Sequence, residues 1–237
     1  MVEYALYLES GPRKRKTMVH VLDLLGCIAR GATTEEALEA TPGEIRRFQG
    51  FLKRYGEMVE PDKNFSTVVA AHVMEGNWLA NGDPTPGFAP DFQPLTTEDL
   101  AIYLRRLSWM HADLTGIIQS ISEDQLVVEP MDGSRSIFHI LSHVAESHAN
   151  YLRMTVGKVE GLKEALLAIT PDVQLIQAAL SSIWNLSIGH METLSDIERT
   201  QAVAHGQTIW TARRGVRRML EHQWEHLQEI RERLGLK

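Results

Sequence analysis

Apolar and polar positions change rhythm partway along the chain. The first part is short-period. Val2–Leu8 (VEYALYL) alternates small or apolar residues with polar and aromatic ones, as a half-buried strand does. Gly11-Pro12 interrupts it, and Thr17–Leu22 (TMVHVL) resumes as the second strand of a hairpin. Thr33 or Thr34 is placed to cap a helix running to about Arg54, with Glu35 and Glu36 in the first turn, where the helix dipole favours acid. Pro42 predicts a kink or break in that helix near Thr41. Phe65–Met74 (FSTVVAAHVM) forms a third strand. The sum is a small ββαβ unit over residues 1–75, an α+β layer pair.

Residues 76–95 break the pattern. Gly76, Gly82, Pro84, Pro86, Gly87, Pro90 and Pro94 recur too densely for a helix or a central strand, which predicts an extended linker. After it the period becomes helical. Leu100, Leu104, Leu107, Leu114 and Ile118 form one apolar stripe, and Ile137, Ile140, Leu141, Val144, Tyr151 and Leu152 a second. Val173, Ile176, Leu180, Trp184, Met191 and Leu194 form a third, and Val216, Met219, Leu220, Leu227, Ile230 and Leu234 a fourth. Four amphipathic segments pack most simply as an up-down four-helix bundle over residues 96–237. The expected fold class is therefore multi-domain, α+β followed by all-α.

Composition narrows the function classes. The chain has 237 residues, 43% of them hydrophobic, and a formal net charge of −7. An excess of acid argues against a nucleic-acid surface, which needs clustered Lys and Arg. No run approaches the ~18 apolar residues of a membrane span, and no signal-peptide core follows Met1, so a cytoplasmic protein is expected. The single cysteine, Cys27, excludes an internal disulfide and a cysteine zinc site. Its apolar neighbours in Asp23-Leu-Leu-Gly-Cys-Ile28 would hold the thiol neutral and inert. Against that one cysteine stand ten histidines, so a transition metal here would be held by imidazole.

Two histidines, His20 and His72, precede the Gly/Pro segment, and the rest follow it. The fourth helix carries Glu221-His222-Gln223-Trp224-Glu225-His226, with His222 and His226 one turn apart on the same face. The second offers His139, His143 and His148. At ~100° per residue, His148 falls inside the apolar stripe and suits a hydrogen-bonded core residue. His143, His222 and His226 fall beside their stripes, where ligands of an open metal site would sit, and His139 reads as solvated. Glu146 and Glu225 are candidates to orient an imidazole, or else solvated carboxylates. Arg213, Arg214, Arg217 and Arg218 lead into the ligand helix as an anion site or, more simply, a solvated face. Arg13-Lys14-Arg15-Lys16 is expected in a solvated hairpin loop.

Ser136-Ile137, Leu141-x-His143-Val144-Ala145-Glu146 and, some eighty residues on, Arg218-Met-Leu-Glu-His-Gln-Trp-Glu-His226 with Ile230 resemble the DinB-like family over about residues 96–235. The resemblance implies a four-helix bundle holding a divalent metal (Zn, Ni, Fe or Mn) through His143, His222 and His226. It departs at Arg135, where many relatives carry an aromatic residue. It also implies a metal-dependent S-transferase acting on a low-molecular-weight thiol such as mycothiol, bacillithiol or glutathione and an electrophile. The alternatives are a metal-dependent hydrolase and a non-catalytic, metal-stabilised binding or regulatory protein. Tyr4-Ala-Leu-Tyr-Leu8, His20-Val-Leu-Asp-Leu-Leu-Gly-Cys27 and Gly31-Ala-Thr-Thr-Glu-Glu-Ala-Leu38 resemble the HicB-like antitoxin fold; with a bundle following in place of a DNA-binding domain, protein contacts, homodimer formation or small-ligand sensing through the first domain is expected over DNA binding.

Overall fold

The computed structural model describes residues 1–82, 85–131 and 133–236, divided into two compact units. The first comprises residues 1–94 and 202–222; the second comprises residues 95–201 and 223–237.

In the first unit, β1 (Val2–Ser10), β2 (Thr17–Val21), β3 (Ile28–Gly31) and β4 (Phe65–Val73) form one sheet in the order β3-β2-β1-β4. The first three strands are antiparallel neighbours, and β4 lies parallel to β1. The expected ββαβ order thus gains a third antiparallel strand after the Gly26-Cys27 turn. Four residues long, β3 is too short to show an alternation. Between β2 and β4 runs α1 (Thr34–Arg54), capped by Thr33, whose hydroxyl accepts from the Glu36 N–H at 3.2 Å. The helix passes Pro42 without the expected break. Proline removes one N–H, and nearby Thr41 donates its hydroxyl to the Ala37 carbonyl at 2.7 Å. Cys27 is buried, as its apolar neighbours suggested. Arg13, Arg15 and Lys16 are exposed in the hairpin loop; the Lys14 side chain lies outside the described residues.

The two faces of the sheet differ. Tyr4, Leu6 and Leu8 alternate on one, where Tyr4 accepts a hydrogen bond from Gln49 of α1 at 2.8 Å. Tyr7 and Glu9 point the other way, together with His20, the cross-strand partner of Tyr7. Of residues 76–95, expected as an extended linker, the described ones among 76–94 belong to this unit instead. Ala80, Phe88 and Asp91 are buried there, and Ala89–Phe92 forms a 3-10 turn whose Asp91 accepts from the Phe88 N–H at 3.0 Å. Pro84 lies outside the described residues.

The second unit is helical. Its long elements are α2 (Thr97–Ser120), α4 (Ile137–Val156), α6 (Val173–Glu192) and the C-terminal half of α8 (Ala212–Arg233); the four expected stripes are helical, but Val216, Met219 and Leu220 of the fourth belong to the first unit and not to the helical one. Short helices α3 (Glu123–Val127), α5 (Leu162–Leu167) and α7 (Asp196–Thr200) lie in the connections. The hairpin β5 (Ala202–His205) and β6 (Thr208–Thr211) precedes α8. It turns on Gly206, whose φ of 63° suits a tight turn with glycine at its first central position. No helix among the described residues is long and apolar enough to cross a membrane.

His148 is buried in this unit, as its wheel position implied, and its ring lies 5.8 Å from that of His111, which stacks on Trp184 at 4.0 Å. Burial lowers the His148 pKa to about 4. Burial and then His148 itself push His111 well below its ordinary value. Both rings are therefore neutral in the folded chain, whereas the unfolded chain takes up their protons below about pH 6.5. Stability is fully present above that pH and is lost as pH falls towards 4, by ~3 kcal/mol for His148 alone. Urea midpoints of the metal-free chain, measured between pH 7 and 4, should fall with pH, and His148→Phe should flatten the dependence.

Candidate metal centre

Three histidines meet. His143 on α4 and His222 and His226 on α8 each offer one ring nitrogen, and the three nitrogens lie within 4.8 Å of one another. Ser136 caps α4 by accepting from the His139 N–H at 3.3 Å, and His143 follows two turns from that cap. The pair on α8 is fixed by helix geometry, since residues four apart share a face. The rings of His143 and His226 stand 5.1 Å apart and perpendicular. His222 and His226 are buried, while His143 keeps partial access to solvent.

Protonation favours coordination. Burial, with His226 and Arg135 nearby, lowers the His143 pKa against the opposing pull of Glu146 and Glu229. A neutral imidazole has a lone pair to give. On His226, Nδ1 lies 2.6 Å from Glu229 Oε2, and a carboxylate there only accepts, so Nδ1 donates and Nε2 is the nitrogen left to face an ion. Glu229 is itself held, by Arg135 at 3.4 Å and Arg233 at 3.5 Å. Although burial opposes it, His226, Arg135 and Arg233 keep the Glu229 pKa below the usual carboxylate range. Such a carboxylate–imidazole arrangement fixes the tautomer and orientation of a ligand.

The sequence-derived helpers fare unevenly. Glu146 is exposed, and its charge opposes the lowering of the His143 pKa. Glu229, three residues after His226, was missed, although the H-x-x-E spacing on one helix face was there to be read. Arg135, the departure from the family pattern, ion-pairs with that glutamate. His139 is exposed, as expected, and shares a hydrogen bond with the Ser136 hydroxyl at 3.1 Å.

The arginine cluster corrects both of its expectations. Arg214, Arg217 and Arg218 are fully buried, forming neither a solvated face nor an open anion site. Arg217 donates to both carboxylate oxygens of Asp91, at 2.6 and 3.0 Å, and to Glu221 at 2.8 Å. Arg218 donates to Glu221 at 3.1 Å. Arg214 lies over the Trp210 ring and donates to the Ile209 carbonyl at 2.9 Å. Arg213, half-buried, donates to the carbonyls of Gln93 and Pro94.

Three imidazoles from two helices, one of them steered by a carboxylate, make a nitrogen donor set suited to a borderline divalent ion and can hold one. No curated protein and no solved structure matches the chain. The DinB superfamily model matches residues 106–230, a span that covers all three histidines and more than half of the chain. The chain belongs to the DinB superfamily.

Proposed function

We propose that the chain is a divalent-metal-dependent enzyme that activates a low-molecular-weight thiol for transfer to an electrophile, with His143, His222 and His226 as the metal ligands. The observation that carries this reading is the convergence of three ring nitrogens within 4.8 Å. When bound, zinc, nickel, iron or manganese supplies Lewis acidity, which lowers the pKa of a coordinated thiol or water. The residues of the chain do the rest. His143, His222 and His226 occupy three positions of the ion, which leaves at least one for a substrate. Glu229 keeps the His226 proton on Nδ1, and Arg135 and Arg233 keep Glu229 ionised and in place. Cys27 is buried in the first unit, so a thiol brought by a small molecule is the nucleophile this reading calls for.

A second, non-catalytic reading draws on the first unit. We infer from its strand order and capped helix that it is a HicB-like contact module. The open edge of β4, where Val68 and Val69 are exposed, favours a role in protein contacts or homodimer formation. In this reading the metal would stabilise the fold rather than serve turnover.

Metal analysis of the reconstituted chain should find one divalent ion per chain. His143→Ala and His222→Ala should each lose it, as measured by elemental analysis after desalting. Unchanged content in both variants would overturn the triad. Removing the carboxylate in Glu229→Gln should leave the fold intact by circular dichroism and weaken metal affinity roughly 10-fold, the usual scale for a group that orients a ligand. In the metal-loaded chain, consumption of a thiol with a generic electrophile should exceed that of the metal-free chain. Unfolding on chelation with no turnover when loaded would favour the second reading.

A further inference from the structure

The metal reading employs His143, His222, His226 and Glu229. It gives no role to Glu221, the residue next to a ligand, which is fully buried and bonded on both carboxylate oxygens. Its Oε2 accepts from Arg217 at 2.8 Å and from Arg218 at 3.1 Å. Both donors stand on α8 itself, three and four residues back, so these bonds turn with the helix. The Oε1 contact differs. It reaches His20 Nδ1 on β2 at 2.8 Å, tying this turn of α8 to the sheet.

His20 is set for the task from every side. Its Nε2 meets Glu9 Oε1 at 3.1 Å, and the other Glu9 oxygen accepts from the Ala80 N–H at 2.6 Å. The Phe88 ring packs against the imidazole at 5.0 Å. With a carboxylate at each nitrogen, the ring has no orientation that serves both except the one observed. All of these residues lie within the first unit.

The geometry points to His20 as a positioning residue for His222: acting through Glu221, it sets the rotation of α8 at the turn that carries the ligand pair, and thereby the affinity of the three-histidine site for a divalent cation. Successive residues sit ~100° apart, so fixing Glu221 fixes the direction of His222. A ~10° turn of the helix carries an imidazole, about 5–6 Å from the axis, through ~1 Å. Metal–nitrogen bonds near 2.0–2.1 Å tolerate only about 0.2 Å of such displacement. Arg217, held by Asp91, secures the preceding turn, and His20 is the sheet-side hold on Glu221 itself.

This inference rests on the metal reading, and Co²⁺ titration of the full chain separates the two. Co²⁺ absorption reports both affinity and ligand geometry. His20→Leu should raise the Co²⁺ dissociation constant roughly 10-fold or more and alter the visible bands. His20→Gln retains an amide donor for Glu221 and should recover most of the affinity. Gln49→Leu removes the hydrogen bond to Tyr4 on the opposite face of the sheet. It should lower the melting temperature and leave the Co²⁺ constant and spectrum unchanged. If His20→Leu does not fold, His20→Asn, too short to span both carboxylates, carries the same comparison. A folded His20 variant that binds Co²⁺ like the wild-type chain overturns the positioning role alone. So does a loss in Gln49→Leu equal to that in the His20 variant, which would mark general destabilisation. A wild-type chain that takes up no Co²⁺ overturns the metal reading and this inference with it.

Discussion

A guanidinium taken out of water without partners would cost several kcal/mol, and Arg217 on α8 is fully buried. Its pairing with Asp91 and Glu221 explains features of the first unit that are otherwise hard to account for. Asp91 requires the Gly/Pro-rich segment to fold back onto the unit, where the Gly82 carbonyl also accepts from Arg217 at 3.2 Å. Gly82 itself has a φ of 84°, a conformation that would strain any other residue, and a Cβ there would meet the Arg218 guanidinium. Glu221, drawn in by two arginines, then requires His20. The result is a buried ionic core on one face of the sheet, opposite the apolar face that packs against α1. Removing any one member would leave a buried charge uncompensated, which is far costlier than the net worth of the pair.

Histidine shows how strongly environment governs its state in this molecule. His20 lies between Glu9 and Glu221, and although burial and Arg217 oppose it, those carboxylates raise its pKa. His111 and His148, buried without carboxylate neighbours, shift the other way. Among the candidate ligands, His143 is also lowered, chiefly by burial. The His20 contribution to stability is present below pH 6.5 and is lost as pH rises through its folded pKa. That is opposite in sign to the contributions of His111 and His148.

Local pattern was enough to reveal β1, β2, α1 and β4, the four long helices, and the HxxxH pair. It also put His148 inside. These are features written in periods of two and 3.6, or in spacing on one helix face. The fit of His143 to the pair came from resemblance, since its wheel position matched a flank and no more. What escaped was non-local. Burial of Arg217 depends on Asp91, 126 residues away in the Gly/Pro-rich segment, so the density of Arg214, Arg217 and Arg218 on one helix looked like a wet face. The packing of residues 76–95 was hidden because glycine and proline report an irregular backbone equally well in a loose tether and in a packed loop. Strand β3 and helices α3, α5 and α7 are too short to establish a period. The β5–β6 hairpin did carry a signal, alternation around Gly206, and Glu229 carried one too.

Helix α8 belongs to the first unit as far as His222 and to the second from Gln223 on. The first unit is therefore discontinuous in sequence, and a ribosome delivers its parts far apart in time. Glu9, His20 and Asp91 emerge early, but Arg217 and Glu221 follow only after most of the helical unit has been made. Until then the ionic core lacks Arg217 and Glu221, and the sheet must wait in water with one face unfinished. The same order applies to dissection: a fragment beginning near residue 96 would keep all three candidate ligands yet carry Arg214, Arg217 and Arg218 into solvent. The span that identifies the family is thus shorter than the span that must be synthesised before its ligand helix can settle.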